Sequence, residues 1–220
     1  MSRVMLIAPH ADDEVLGAGG TLLRLMAEGH EVKIVLAACA DCWFHHLQRI
    51  VSKAEREAEF LASAARLSST DPVLLGLPER NLDQYPVGDL VHTLDGLLAS
   101  WQPDWLFISE PSYHQDHQMI HRACVAALRP TGGPRPGKVC SYEVPTSTWG
   151  SDFRPSLYVS LTPEQVEGKV SILRDAYPSQ YSAEVRGRLT ERGMRDHLRY
   201  RGNEAGCESA EAFTVLREVW

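Results

Sequence analysis

The sequence predicts a single-domain α/β protein built on a mostly parallel sheet with helices on both faces. Short runs rich in Val, Ile and Leu alternate with amphipathic stretches of helical length. Two clusters of ionisable residues each follow directly on an apolar run, as side chains do beyond the carboxyl ends of parallel strands. No repeat, low-complexity tract or linker divides the 220 residues into two units.

Residues 4–9, opening on Val4-Met5-Leu6-Ile7, read as the first strand. Residues 13–28 read as a helix with Val15, Leu22, Leu23, Leu25 and Met26 on its apolar face and Gly29 as its stop. Residues 31–38 are the second strand, and 46–67 one long helix with Lys53, Glu55, Arg56, Glu57 and Glu59 on its wet side. A third strand is predicted over 72–77, a helix over 88–101, a fourth strand over 104–109 and a helix over 117–128. Alternating Pro and Gly mark 131–137 as a loop. Residues 138–144 and 157–161 read as further strands, and 163–176 and 189–201 as helices. Right-handed crossovers between such units put the loops after strands one and four on the same edge of the sheet.

Composition narrows the function classes. At 44% hydrophobic and 23% charged residues, the chain buries a sizeable core. Asp plus Glu number 29 against 22 for Lys plus Arg, a net charge of -7 that speaks against a general nucleic-acid binder. No apolar run approaches the roughly 18 residues of a membrane span, and no secretory leader opens the chain, so a cytoplasmic location is expected. Five cysteines, odd in number, fit reduced thiols. Cys39-Ala40-Asp41-Cys42 lacks the second CxxC that a four-cysteine zinc cage needs, and reads as two loop thiols.

The first ionisable cluster is Pro9-His10-Ala11-Asp12-Asp13-Glu14; the second is Ser112-Tyr113-His114-Gln115-Asp116-His117. Taken alone, the acids at a helix start are N-cap and dipole partners. Together, His10, Asp13 and His117 supply two imidazoles and one carboxylate, a zinc set that leaves a fourth position to water. Asp12 is then the candidate general base, and His114 the donor to a developing oxyanion or a leaving amine. Asp116 is placed to hold an imidazole in one tautomer, and Glu14 to support the turn.

Other readings stay open at this point. His10-Ala11-Asp12 with His117 also parses as the two-histidine, one-carboxylate triad of Fe2+ oxygenases, which normally sits in an all-β fold. A sugar-binding module without turnover would have no need of Asp12 beside a filled ligand set. Gly17-Ala18-Gly19 lacks the third glycine of a dinucleotide fingerprint, and the acidic turn would repel a pyrophosphate. Arg188, Arg192, Arg195 and Arg199 share one helical face; they read as a solvated row paired with Glu191 and Asp196, or as a clamp for an anionic substrate. Trp43, Trp149 and Phe153 fall in predicted loops, where they either stack on a sugar ring or pack on their own domain.

The two clusters resemble those of the PIG-L/LmbE-type N-deacetylases, zinc enzymes on a Rossmann-like sheet. The resemblance extends to Leu16-Gly17-Ala18-Gly19-Gly20-Thr21, Leu75-Gly76-Leu77-Pro78, Tyr142-Glu143-Val144-Pro145, Arg201-Gly202 and Ala210-Glu211-Ala212-Phe213. It implies Zn2+, with Fe2+ as another divalent choice, on His10, Asp13 and His117, the base on Asp12 and the acid or oxyanion histidine on His114. It also implies a small-molecule amino-sugar or glycoconjugate substrate of the N-acetylglucosaminyl type, and it leaves a homo-oligomer open. The loop Ala38-Cys39-Ala40-Asp41-Cys42-Trp43 departs from the small polar residues usual there, which leaves the substrate's identity unread.

Overall fold

β1, Arg3–Ala8, is apolar on both sides: Val4, Leu6 and Ala8 enter one core, Met5 and Ile7 the other. A strand buried on both faces belongs at the centre of a covered parallel sheet. The computed structural model describes all residues except 69, 131–134, 146, 148, 182–188 and 220. Beyond β1 it contains α1 (Asp13–Ala27), β2 (Glu31–Ala38), β3 (Cys42–Phe44), β4 (Arg49–Val51), α2 (Lys53–Leu67), β5 (Val73–Leu77) and α3 (Val87–Trp101). These are followed by β6 (Trp105–Ser109), α4 (Gln115–Ala127), β7 (Lys138–Tyr142), β8 (Leu157–Ser160), α5 (Pro163–Ala176), α6 (Glu191–Ala205) and β9 (Ala210–Glu218).

The main sheet has seven strands in the order β5-β2-β1-β6-β7-β9-β8, parallel from β5 to β7 and antiparallel at β9 and β8. One core packs Val15 and Leu22 of α1, Phe60 of α2 and Leu173 of α5 against the sheet; the other packs Leu90 and Leu94 of α3 and Ile120 of α4. The predicted α/β architecture is thus present. The chain runs outward from β1 through β2 to β5, then returns to β6 on the other side of β1. Strand order reverses between β1 and β6, which opens a crevice at their carboxyl ends.

Several boundaries differ from the sequence reading. The helix expected over 46–67 begins only at Lys53, because Ser52 caps it by accepting from the Glu55 amide; residues 42–51 form the β3–β4 hairpin instead. Trp43 therefore lies on a strand rather than in a loop. Arg56 and Glu59 are buried, not on the wet side: Arg56 pairs with Glu79, and Glu59 accepts from the amide and hydroxyl of Ser179. α4 starts two residues earlier than expected, with His114 as its cap, and α6 runs on to Ala205. The last strand, β9, was not expected; it joins the sheet between β7 and β8 and brings Glu211 inside. Residues 131–134 of the predicted loop, and Arg188, lie outside the described residues. No helix among the described residues is long and apolar enough to cross a membrane.

Candidate metal centre

Pro9 and His10 continue β1 past the edge of the sheet, and the chain then turns into α1 through Asp12. Asp12 holds φ at 116°, a left-handed conformation that a non-glycine residue seldom adopts. Its amide donates to Glu14 Oε2 at 3.2 Å and its carbonyl accepts from Leu16 at 2.9 Å. Its carboxylate makes no capping bond, so the bland role of an N-cap is not the one it fills. Glu14 is itself buried and accepts from the hydroxyls of Ser63 and Tyr177. Burial pushes the Glu14 carboxyl up to about 7.

On the opposite wall β6 ends at Ser109, and His114 caps α4 by accepting the Asp116 amide on Nδ1 at 3.2 Å. That bond assigns the proton of a neutral His114 to Nε2. Burial, with His10 and His117 nearby, lowers its pKa. The His114 ring lies edge-on to His10, with centroids 4.7 Å apart.

Three donor atoms meet in the crevice. His117 Nε2 is 3.2 Å from His10 Nδ1 and 3.3 Å from Asp13 Oδ2, and His10 Nδ1 is 3.6 Å from the same oxygen. Zinc bonds of about 2.0–2.2 Å in tetrahedral arrangement place ligand atoms about 3.3–3.6 Å apart. All three residues are buried. His10 Nε2 is 2.9 Å from Asp116 Oδ2, which assigns the ring proton there and turns the Nδ1 lone pair toward the other two donors. Lone pairs converging in this way repel unless a positive charge sits among them. His117 Nδ1, buried and without a hydrogen-bond partner among the described atoms, leaves Nε2 as that ring's working nitrogen. The donor set therefore fits a divalent cation.

Asp116 is fully buried and accepts from His10 and from the Arg80 and Leu82 amides. Burial alone would raise its pKa; these donors outweigh it and hold the carboxyl below its usual range. Likewise burial is outweighed by His117 and His10 at Asp13, which is lowered, and by the Asp116 bond at His10, which is raised. Burial and the adjacent Asp13 carboxylate push Asp12 well up, against the pull of the Arg56 guanidinium. His10, His114 and Asp116 form a second group of close donors, but the hydrogen bonds just described already engage them. The carboxylate that joins His10 and His117 is that of Asp13, not of Asp12.

Arg56 was missed as a site residue, although it falls in phase with buried Phe60, Ser63 and Leu67 along α2. It donates to the Ala40 carbonyl and to Glu79, whose carboxylate also accepts the Ala40 amide, and so fixes the loop after β2 beside Asp12. Cys39 and Cys42 are free thiols directed at different carbonyls, and burial pushes Cys39 up to about 11, far from a reactive thiolate. Arg195 is held by Glu191 and Glu167, and Arg192 and Arg199 by Asp196, as in a solvated row. Of the three aromatics, Phe153 packs under Arg201, while exposed Trp149 lies 5.4 Å from Tyr113, the neighbour of His114.

A probable N-acetyl-alpha-D-glucosaminyl L-malate deacetylase of Bacillus cereus is 23% identical over 133 residues, 57% of this chain. The match spans 60% of that relative's length. A conserved protein of Thermus thermophilus has a TM-score of 0.77 at 26% identity, covering 100% of this chain and 97% of its own. The N,N'-diacetylchitobiose deacetylase of Pyrococcus horikoshii, at 21% identity and TM-score 0.76 over 98% and 84% of the two chains, shares the fold. So does a 4-carboxy-2-hydroxymuconate hydratase of Pseudomonas putida, at 18% identity and TM-score 0.77 over 100% and 98%. The family model described as PIG-L, GlcNAc-PI de-N-acetylase, matches residues 5–128, a span that includes both walls of the crevice. With the converging donors of His10, Asp13 and His117, that match makes this chain a member of the PIG-L family.

Proposed function

We propose that the chain is a metal-dependent hydrolase that removes an N-acetyl group from an amino sugar of the N-acetylglucosaminyl type, or from a glycoconjugate bearing one. The observation that carries this reading is the triangle of His10 Nδ1, Asp13 Oδ2 and His117 Nε2, with sides of 3.2–3.6 Å. These three residues would hold the cation, with Zn2+ as the first choice. Bound there, it would act as a Lewis acid and lower the pKa of water.

Asp12, next to ligand Asp13 and free of any capping bond, takes the proton from the attacking water. His114, with Nδ1 committed to the Asp116 amide, presents Nε2–H to the oxygen that becomes negative as the amide carbonyl is attacked. Asp116 keeps the His10 ring in the tautomer whose Nδ1 lone pair faces the site. A hydratase of the same fold is the reason to test bond cleavage directly.

The test is a screen for released primary amine over N-acetylglucosamine derivatives, with the chain stripped by chelator and then reloaded with Zn2+. Amine release that disappears with the metal and returns with Zn2+ is the expected result. Metal-dependent hydration of an unsaturated acid, with no amine from any N-acetyl sugar, would overturn the reading.

A further inference from the structure

α1 carries Gly17, Gly19 and Gly20 in its middle, where glycine weakens a helix. Their lack of side chains has a local use. A Cβ at Gly17 would run into the Tyr142 ring, and one at Gly20 into Leu161. The bare stretch lets a buried ion pair reach the helix backbone. Lys169 of α5 and Glu211 of β9 are each almost wholly buried, and Lys169 Nζ lies 2.5 Å from Glu211 Oε1. The ammonium also donates to the Leu16 carbonyl at 2.7 Å. The carboxylate accepts the Gly20 amide on Oε1 at 2.9 Å and the Thr21 amide on Oε2 at 2.7 Å.

In an α-helix the Gly20 amide is the partner of the Leu16 carbonyl. The ion pair thus sits astride that rung, with one charge on each of its ends. The signs suit the groups they meet, a carboxylate on two amides and an ammonium on a carbonyl, in the middle of a helix that runs unbroken from Asp13 to Ala27. The first half begins with Asp13 and Glu14, one turn from Leu16, and follows directly on Asp12.

We propose that Lys169 and Glu211 are positioning residues for the metal centre. By gripping the α1 backbone at Leu16, Gly20 and Thr21 they fix the direction in which the start of the helix presents Asp12 and Asp13 to His10 and His117. The proposal rests on the metal reading above. It is distinct from a role in stability alone, because a buried ion pair replaced as a unit by apolar side chains often costs a fold little.

The experiment titrates Co2+ into the parent chain and into Lys169→Met/Glu211→Met, following the visible d–d absorption, with thermal midpoints measured alongside. The double variant removes both buried charges together, so we expect a folded chain with a changed Co2+ spectrum. Its Co2+ affinity should fall by about ten- to a hundredfold, the range seen when outer partners of a metal site are removed. Glu211→Asp guards against failure of the double variant to fold. It keeps the charge, withdraws the carboxylate by one methylene from Gly20 and Thr21, and should lose affinity several-fold. Parent-like Co2+ affinity and spectrum in either folded variant overturns the positioning role. A parent chain that binds no Co2+ overturns the metal reading and this one with it.

Discussion

Around His10, three metal-ligand atoms converge on one spot, and the His10 amide on Asp13 Oδ2 is the one backbone donor among the described residues that meets them; around Lys169, an ammonium, a carboxylate, two amides and a carbonyl satisfy one another. Both regions are buried and both touch α1. The first offers a cation three donor atoms at tetrahedral spacing. The second is complete as the chain folds. Burial of charge therefore does not by itself mark a site; convergence of unmatched lone pairs does.

The largest test of this contrast is removal of a donor. His117→Ala should abolish tight metal binding and amine release together, measured by metal content after dialysis; a variant that still binds Zn2+ stoichiometrically would remove His117 from the set. Asp12→Asn should keep the metal and lose about two to four powers of ten in turnover. Unchanged turnover would take Asp12 out of the mechanism. Asp116→Asn leaves the donors in place but frees the His10 ring, and should cost about ten- to a hundredfold in metal affinity, read by competition with a chromogenic chelator.

Where charges are already matched, the expected effect is on stability and not on the metal. Glu143 is buried against Arg201 and His197. Burial alone would raise its pKa, but the bonds to His197 and Arg201 outweigh it and depress the folded value. Its contribution to stability is therefore full above the ordinary glutamate value of about 4.3 and fades as pH falls through the folded value. Arg201→Ala should cost about 3–5 kcal/mol at neutral pH without loss of metal. The gap in thermal midpoint between parent and variant should narrow as pH drops below 4.3 or so. The smallest effect belongs to Arg195→Ala, which should change stability by about 0.5 kcal/mol or less and leave KM alike for phosphorylated and plain sugars. A rise in KM confined to phosphorylated substrates would restore the arginine row as an anion clamp.

The strands of the parallel part of the sheet, and both motifs, could be read in order along the chain because each depends on neighbours in sequence. β1 and β6 are nearly continuous apolar runs, β2 is one from Ile34 onward, α1 and α5 have regular apolar faces, and the turn after β1 gathers its acids within five residues. The reading failed where a distant partner decides. Arg56 and Glu59 look solvated until Glu79 and Ser179 are folded against them. Residues 46–52 carry helix-compatible side chains, yet β3 pairing and the Ser52 cap take them out of α2. β9 shows no clean alternation because its first four residues, Ala210 to Phe213, are all buried.

The sequence alone determined which residues the proposed chemistry draws on: His10, Asp12 and Asp13 after one strand, His114, Asp116 and His117 after another. It did so because a parallel sheet delivers strand ends to one edge. Only the tertiary structure decided which carboxylate joins the two imidazoles, which ring nitrogen each presents, and which amides hold Asp116. Those choices rest on distances between β1 and α4 and on side chains more than 100 residues apart, such as His10 and Asp116. The same holds for α1, whose glycines fell short of a dinucleotide fingerprint in sequence and leave room for the Lys169–Glu211 pair in the fold. Spacing along a chain records what a local turn can do, while the orientation of a lone pair is set by whatever packs against its far side.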